Sequence, residues 1–350
     1  MENHINMSER YGNTRNKQRD CLKQYKKDWT NYFWKEFVLK NEDKIYWVGL
    51  SNNPNITWEI VKNNPDIIKY PWNWRNLSKH SNITWEIIKN NPKYPWDWKY
   101  ISLNPNITWN IVKDNPDKSW NWLNLSKHSN ITWEILVDNP QHPWDYDYLS
   151  MNPNITWEIV KNNPGYPWSY YWLSSNPNIT WEILVDNPQH PWDYVHLSMN
   201  PNITWEIIKN NPGHPWSYDY LSSNPNITWE ILVNNPSYPW NFGWLSRNPN
   251  ITWEIVKNNP DKPWHWSWIS NNPDITWEII KNNPEYPWRW CGLSFNSLNR
   301  NKQQYIEQKK KEHMMAFRIQ THWRRANYNP TYLLCKKRLM RDYEILGLED

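Results

Sequence analysis

An Ile-Thr-Trp tripeptide recurs ten times in this chain, and its spacing constrains the fold more than any other feature. The isoleucines stand at 56, 83, 107, 131, 155, 179, 203, 227, 251 and 275, so the first interval is 27 residues and the other eight are 24. The three extra residues of the first unit lie near Ile67-Ile68-Lys69. Each unit reads Leu-Ser-x-Asn-Pro-Asn-Ile-Thr-Trp-Glu-Ile, then Asn-Pro, then Pro-Trp-x-aromatic. A 24-residue unit cannot bury its own apolar face, so neighbouring units must stack.

Within a unit the spacing predicts two short helices. The first runs Thr57-Trp58-Glu59-Ile60-Val61-Lys62-Asn63; Thr is a good N-cap, and Glu in the first turn suits the positive helix end. Asn64-Pro65 stops it, because a residue before proline avoids the α region. The second is expected to open at Pro71, a favoured first helical position, and to run through Trp72 to Ser78. The i, i+3 placement of Trp58 and Val61, and of Trp74 and Leu77, fits helices and not the alternation of strands. The expected fold class is therefore all-α: an α-solenoid of ten helix-turn-helix units over 45–297. An N-terminal helical cap at 1–44 and a basic helical segment at 298–350 flank it. Such an array is expected to present an extended concave strip.

Ile56, Thr57, Trp58, Ile60, Asn64, Pro65, Trp72 and Ser78 have the same residue in all ten units, and Leu77 is Leu or Ile throughout. The apolar members are expected in the core. Asn64 and its equivalents are expected to form an asparagine column between units, and Ser78 and its equivalents to be helix-end hydroxyls.

Composition narrows the function classes. The chain has 32 Trp and 28 Pro among 350 residues but 7 Gly, so no glycine-rich phosphate loop is present, and aromatic content of 17% argues against disorder. Only Ala316 and Ala326 are alanines; with Asn, Ile, Lys and Tyr abundant, this points to an AT-rich genome. Cys21, Cys291 and Cys335 make no spaced pair, so neither a disulfide framework nor a cysteine zinc site is expected. No apolar run of 18 residues spans a membrane, and no signal peptide opens the chain. The nine Asn-Ile-Thr sequons therefore read as turn and cap residues of a protein that is not secreted.

Charge is uneven: residues 1–50 carry +3, residues 51–296 carry −5 and residues 297–350 carry +6. In the last stretch Lys309, Lys310, Lys311, Arg318, Arg324, Arg325, Lys336, Lys337, Arg338 and Arg341 form a basic segment. Helices are predicted there over Arg300–Arg325 and Thr331–Leu346, joined at Asn329-Pro330, and near the N-terminus over Asn16–Lys40. The basic segment is read as a cap with a solvated face, with nucleic acid or an acidic partner as the alternative.

No catalytic constellation emerges. The Glu59 column, with Asn110 in the third unit, reads as a helix-end feature. His142, His190 and His214 share one repeat position with Tyr94, Tyr166, Tyr238 and Tyr286, and with Lys118 and Lys262, which reads as a surface loop and not as metal ligands. No cofactor is expected. The variable positions after Pro-Trp define the candidate binding face: Asp147, Tyr148, Tyr171, Trp172, Val195, His196, Asp219, Tyr220, Trp244 and Trp268. Residues 131–178 and 179–226 differ at only six positions, four of them on this face. The leading expectation is a non-enzymatic scaffold that binds a protein partner.

The unit resembles the leucine-rich repeat variant, a 24-residue bacterial unit of paired short helices; it shares the length and the Asn-Pro and Thr placement, with Trp-Glu replacing a longer proline-containing start. The tandem Asn-Pro-Asn-Ile-Thr-Trp-Glu units look more like those of uncharacterised repeat proteins of mimivirus-type giant DNA viruses. So does the segment Ile319-Gln320-Thr321-His322-Trp323-Arg324-Arg325, followed by Leu334-Cys335-Lys336-Lys337-Arg338. The resemblance covers most of residues 45–345. It implies a helical repeat fold and a virus-infected cell or virion as the setting, and it implies no activity.

Overall fold

The repeats fold alike because four local devices recur down the chain. The threonine cap bond is absent at Thr132 and Thr180, and the second-helix cap bond at Ser169, Ser217, His265 and Arg289. In a computed structural model, which describes residues 7–66, 69–329 and 331–345, all regular elements are helical. Side chains are described from residue 19 to 341 within those limits. The insertion at Ile67 and Ile68, Pro330 and the expected helix end at Leu346 lie outside the described residues.

The first device is the threonine cap. The first helix of the opening unit is Trp58–Asn63, and the Thr57 hydroxyl accepts the Ile60 amide at 3.4 Å. The second is the helix stop. The Asn64 side chain donates back to the Ile60 carbonyl at 2.7 Å, and the Asn64 carbonyl accepts the Trp72 indole N–H at 3.0 Å. Both bonds recur down the chain, as at Asn187 with Ile183 and Trp192. The Asn64 column thus works within units and does not link them, contrary to the sequence expectation. An asparagine one residue past its helix finds the orphan carbonyl of the last turn closer than any neighbouring unit.

The third device moves the start of the second helix. That helix is Trp74–Ser78, three residues later than Pro71 implied, and Asn73 is its N-cap, accepting the Asn76 amide at 2.9 Å. Pro71-Trp72 forms a tight turn instead, with the Trp72 amide bonded to the Tyr70 carbonyl at 2.8 Å. An Asn or Asp cap satisfies helix N–H groups that proline leaves open.

The fourth device joins the units. The hydroxyl of each Leu-Ser serine accepts the backbone N–H of the cap residue of the next unit's second helix. Ser78 takes Asp97 at 2.9 Å, Ser174 takes Asp193 at 2.9 Å and Ser270 takes Arg289 at 3.0 Å. These serines are fully buried. Beside them the asparagine of Leu-Ser-x-Asn reaches carbonyls of the preceding unit. Asn200 Nδ2 lies 2.9 Å from Ser174 O, 3.0 Å from Asn176 O and 3.1 Å from Ile179 O. The second Asn of Asn-Pro-Asn does the same: Asn202 donates to Pro177 and Ile179 carbonyls.

These joints run through the whole array and then close it. The Tyr46 amide donates to Ser294 Oγ at 2.9 Å, although 248 residues separate them. Asn53 donates to the Ser294 and Asn296 carbonyls at 2.9 and 2.8 Å, and Asn55 to Ser297 O at 2.7 Å. Each is the bond that adjacent repeats make elsewhere, so the half-unit at Tyr46–Asn55 follows the last unit as any unit follows its predecessor. Phe37 completes the joint. Its ring packs edge-on against Trp277 at 5.1 Å and on Trp290 at 5.7 Å, as Tyr286 packs on Trp253 and Trp266 in the preceding joint. Eleven serine joints make a closed circuit. The extended strip is therefore replaced by a ring. Gly292 is required at its joint: a Cβ there would sit 2.1 Å from the Ser267 carbonyl oxygen.

The core of the ring is aliphatic. Ile155, Val160 and Leu173 are within 2% of complete burial, and Leu136 and Leu184, the counterparts of Val160 on either side, within 4%. The isoleucine before the Val160 position is only half-buried in most units, and so are most of the Thr-Trp indoles. Trp72, Trp120, Trp205, Trp216, Trp253 and Trp264 are buried as the sequence implies, and the other tryptophans assigned to the core interlock with them as an aromatic layer over it. Trp157 packs on Trp192 of the next unit at 5.5 Å, and Tyr170 meets the same ring edge-on at 5.2 Å. Edge-to-face pairs of this kind add about 0.5–1.5 kcal/mol beyond burial.

The chain divides into two units, residues 35–298 and a second formed by the N-terminal stretch to Trp34 with the segment from Asn299. Residues 35–44, assigned from sequence to the N-terminal cap, thus belong with the array. In the second unit the helices Met7–Tyr32 and Asn299–Tyr328 pack together, with Trp29 and Tyr32 against Tyr305 at 5.7 and 5.4 Å. Leu333–Ile345 follows, with Cys335 buried.

Ser174→Ala leaves the Asp193 amide buried without an acceptor, and is expected to cost about 1–3 kcal/mol in urea unfolding. Ser294→Ala should cost as much if the circuit is closed. A value near zero for Ser294→Ala alone would show that the ends are open.

Candidate interaction face

The residues that vary between units sit on the second helices, and the caps decide how many of them are free. The position directly after Pro-Trp is spent on capping: Asp97, Asn121, Asp145, Asp193 and Asn241 each accept an amide of their own helix. The signal was in the sequence, since this column is almost all Asn, Asp and Ser, the preferred N-caps.

The next positions form the face. Asp147, Tyr171, Val195, Asp219 and Trp268 are exposed, whereas Tyr148, Trp172, Tyr220 and Trp244 are partly covered. His196 departs from the expectation of an exposed residue: it is 8% exposed. Its Nδ1 bonds to Asp193 Oδ1 at 2.9 Å, and its ring lies under Tyr171 with centroids 3.8 Å apart. The short helix Tyr194–Leu197 turns this side chain toward the preceding unit.

Two clusters result. Tyr171, Trp172 and His196 form one across two units. Tyr220, Trp244 and Trp268 form the other across three: Tyr220 meets Trp244 at 5.2 Å, and the Arg247 guanidinium lies 5.2 Å from Trp244 and 4.2 Å from Trp268. Asp219 accepts from the Asn241 amide at 2.7 Å. Asp147 and Val195 join neither cluster.

The sequence reading missed one column of this face, the x of Leu-Ser-x-Asn. Arg247 comes from it, and so do Lys79 and Lys127, whose ammonium groups lie 5.9 Å from the Tyr100 ring and 5.1 Å from the Tyr148 ring. Its variation between units (Asn, Lys, Leu, Met, Ser, Arg, Phe) was the available signal.

On the aromatic layer, the histidine column does structural work. His142 stacks on Trp122 at 4.2 Å, His190 on Tyr170 at 4.6 Å and His214 on Tyr194 at 4.2 Å, each nearly parallel to a ring of the preceding unit. Among the described residues no three His, Cys, Asp or Glu side chains converge as a metal site. Shallow clefts of about 410 Å³ open between units, one lined by Trp157, Tyr166, Trp168, Tyr170 and His190. The glutamates of the Glu59 column are exposed at first-turn positions. The Thr132 hydroxyl holds the Glu134 carboxyl below the usual range, and backbone bonding followed by Thr180 does so for Glu182.

In the C-terminal helices Lys310, Lys311, Arg318, Arg324, Arg325, Lys336, Lys337 and Arg341 are exposed. Lys309 pairs with Glu312 at 2.8 Å and Arg338 lies over Tyr328 at 4.4 Å. Phe317, Ile319 and Trp323 are exposed too, so the segment is mixed basic and apolar and not a purely solvated charged face. No helix among the described residues is long and apolar enough to cross a membrane.

Comparison with known proteins adds no assignment: no family model, no curated protein and no solved structure matches this chain.

Two joints carry histidine where the others carry asparagine. His80 Nε2 donates to Asn53 O at 2.9 Å while His80 Nδ1 accepts the Asn82 amide at 3.0 Å; His128 repeats this with Asn104 and Asn130. A ring nitrogen that accepts an N–H carries no proton, so both imidazoles are neutral. Burial holds both below their ordinary value of 6.5. The unfolded chain therefore takes up protons first as pH falls. Stability is expected to be complete above pH 6.5 and to fall below it, until the folded imidazoles themselves protonate. Melting between pH 8 and 5 checks this. Replacing both residues with Asn should flatten the profile, and an unchanged acid slope would refute the assignment.

Trp157→Ala is expected to lower stability by about 3 kcal/mol and to reduce cooperativity across the array, read by circular dichroism on heating. An unaltered melting curve would place the interlocking elsewhere.

Proposed function

We propose that this protein is a non-enzymatic scaffold that binds a protein partner on the variable face of its ring. One observation carries the reading: aromatic side chains from successive units cluster side by side on that face although the aliphatic core does not need them. Tyr171 is 49% and Trp268 38% exposed. Rigid aromatic rings beside arginine are the usual anchors of protein interfaces. The resemblance to giant-virus repeat proteins supports an infected host cell or the virion as the setting, where a structural part in the particle fits the same architecture.

A second reading is nucleic-acid binding by the C-terminal segment, favoured by exposed Arg324 and Arg325 beside exposed Trp323.

Capture from infected-cell lysate separates the two. The full chain is compared with a face variant (Tyr171→Ala, Tyr220→Ala, Trp268→Ala) and a tail variant (Arg324→Glu, Arg325→Glu, Lys336→Glu), each with and without nuclease. The leading reading expects a protein partner that survives nuclease and is lost with the face variant alone. Loss with nuclease and with the tail variant would reverse the assignment, and a steep salt dependence would accompany it.

A further inference from the structure

Every acid on the second helices and their caps stands in the first seven units: Asp97, Asp145, Asp147, Asp193 and Asp219. The last three units carry Arg247 and Arg289 there, with His265 between them, and no Asp or Glu, although residues 51–296 as a whole carry −5. Arg247, His265 and Arg289 are all exposed. His265 opens the helix that bears Trp268, and its ring lies 6.0 Å from that indole. Arg289 is tied to the same helix through its amide bond to Ser270 Oγ at 3.0 Å. One end of the variable face is thus both cationic and aromatic.

Elsewhere on this face a polar group finds its partner in the next unit. Arg75 pairs with Asp97 at 3.5 Å, and Asp219 accepts from the Asn241 side chain at 2.7 Å, each contact joining one unit to the cap residue of the next. The equivalent pairs at the end of the array are Gly243 with His265 and Ser267 with Arg289, which hold no acid. Neither Arg247 nor Arg289 belongs to an ion pair among the described residues. Arg247 is braced by rings instead, its guanidinium 4.2 Å from the Trp268 centroid and 5.2 Å from that of Trp244. A guanidinium stacked on an indole keeps its in-plane N–H groups available, and its planar fork matches a carboxylate.

We propose that this end of the face receives an acidic segment of the protein partner: one Asp or Glu carboxylate in the Arg247 fork, an adjacent apolar side chain against Trp268, and a further acid opposite Arg289. Charge complementarity selects the occupant. A nucleic acid would carry its phosphates along an array that is net acidic, whereas a short acidic segment meets only the cationic end. The inference rests on the partner-binding reading and adds the chemistry of the partner.

The test is a selection of random linear peptides, displayed on phage, against the full chain. The expected binders carry Asp or Glu beside Leu, Phe or Trp. Affinity for the strongest of them, made synthetically, should fall at least about tenfold with Arg247→Gln and with Trp268→Ala, and less with Arg289→Gln. Arg247→Lys keeps the charge without the fork and should not restore it. Arg75→Gln, which removes an exposed arginine that is already paired, should leave affinity unchanged, and oligothymidylate should not compete. Melting of each variant checks that these surface substitutions leave the fold intact. Binders without acid, binding indifferent to Arg247→Gln, or no enrichment would overturn the inference, and competition by oligothymidylate with the same Arg247 dependence would make nucleic acid the occupant. The two readings fail separately. A lysate partner lost with the face variant but kept by Arg247→Gln would sink the acidic segment alone; Arg247-dependent peptides with no such partner would sink the scaffold reading alone.

Discussion

A single hydrogen bond, from the amide of one unit's helix cap to the buried serine hydroxyl of the unit before, sets the geometry of this protein. It holds at 2.8–3.0 Å at every joint, including the one between Ser294 and Tyr46. The serine is fixed in turn, since its own hydroxyl donates to the carbonyl one turn back, as Ser102 does to Trp98 at 2.8 Å. Each bond contributes only about 1 kcal/mol net. Its importance is positional: a donor at the start of one helix and an acceptor at the end of another fix the distance and the angle between units, and the aliphatic core then packs to whatever that angle is.

The remaining contacts tolerate exchange where this one does not. At the asparagine step, His80 and His128 substitute with the same carbonyl partner, at the expense of sensitivity to acid. Asp274 replaces an Asn-Pro-Asn asparagine and, with no side-chain N–H to give to a carbonyl, accepts the Trp253 amide at 2.7 Å instead. In the aromatic layer, Phe37 stands where a tyrosine or histidine stands elsewhere. These exchanges share a logic. A polar partner can be swapped if a donor or acceptor of the right kind remains, and a ring can be swapped if its edge still reaches the neighbouring face.

The helical repeat and its unit length were legible from the period alone, and so was the threonine cap. The second helix was misplaced because Pro-Trp at a helix start and Pro-Trp in a turn look alike until the capping residue beyond is weighed. The inter-unit asparagine was sought at Asn64 because that residue never varies, but the same invariance is demanded by its bonds within the unit. Circuit closure had no local signal. Tyr46 and Phe37 match the repeat poorly in identity and meet Ser294, Trp277 and Trp290 only through the summed angle of all the joints. On the candidate face, variation between units located the second-helix positions, while the burial of His196 and the role of Arg247 depend on which neighbour each side chain leans on.

A chain that meets its own tail has a fixed tally of steps. Eleven joints share a full turn at about 33° each, and thirteen would require about 28° at every one of them. The blocks 131–178 and 179–226 differ at only six positions, so a two-unit block of this gene has been copied. In an open array such copying lengthens the molecule and leaves other units undisturbed. In a circuit it is neutral only when one block overwrites another, because an added pair of units would have to bend all the rest. The near-identical blocks are then the trace of replacement under a fixed number, and change is confined to side chains that no joint uses.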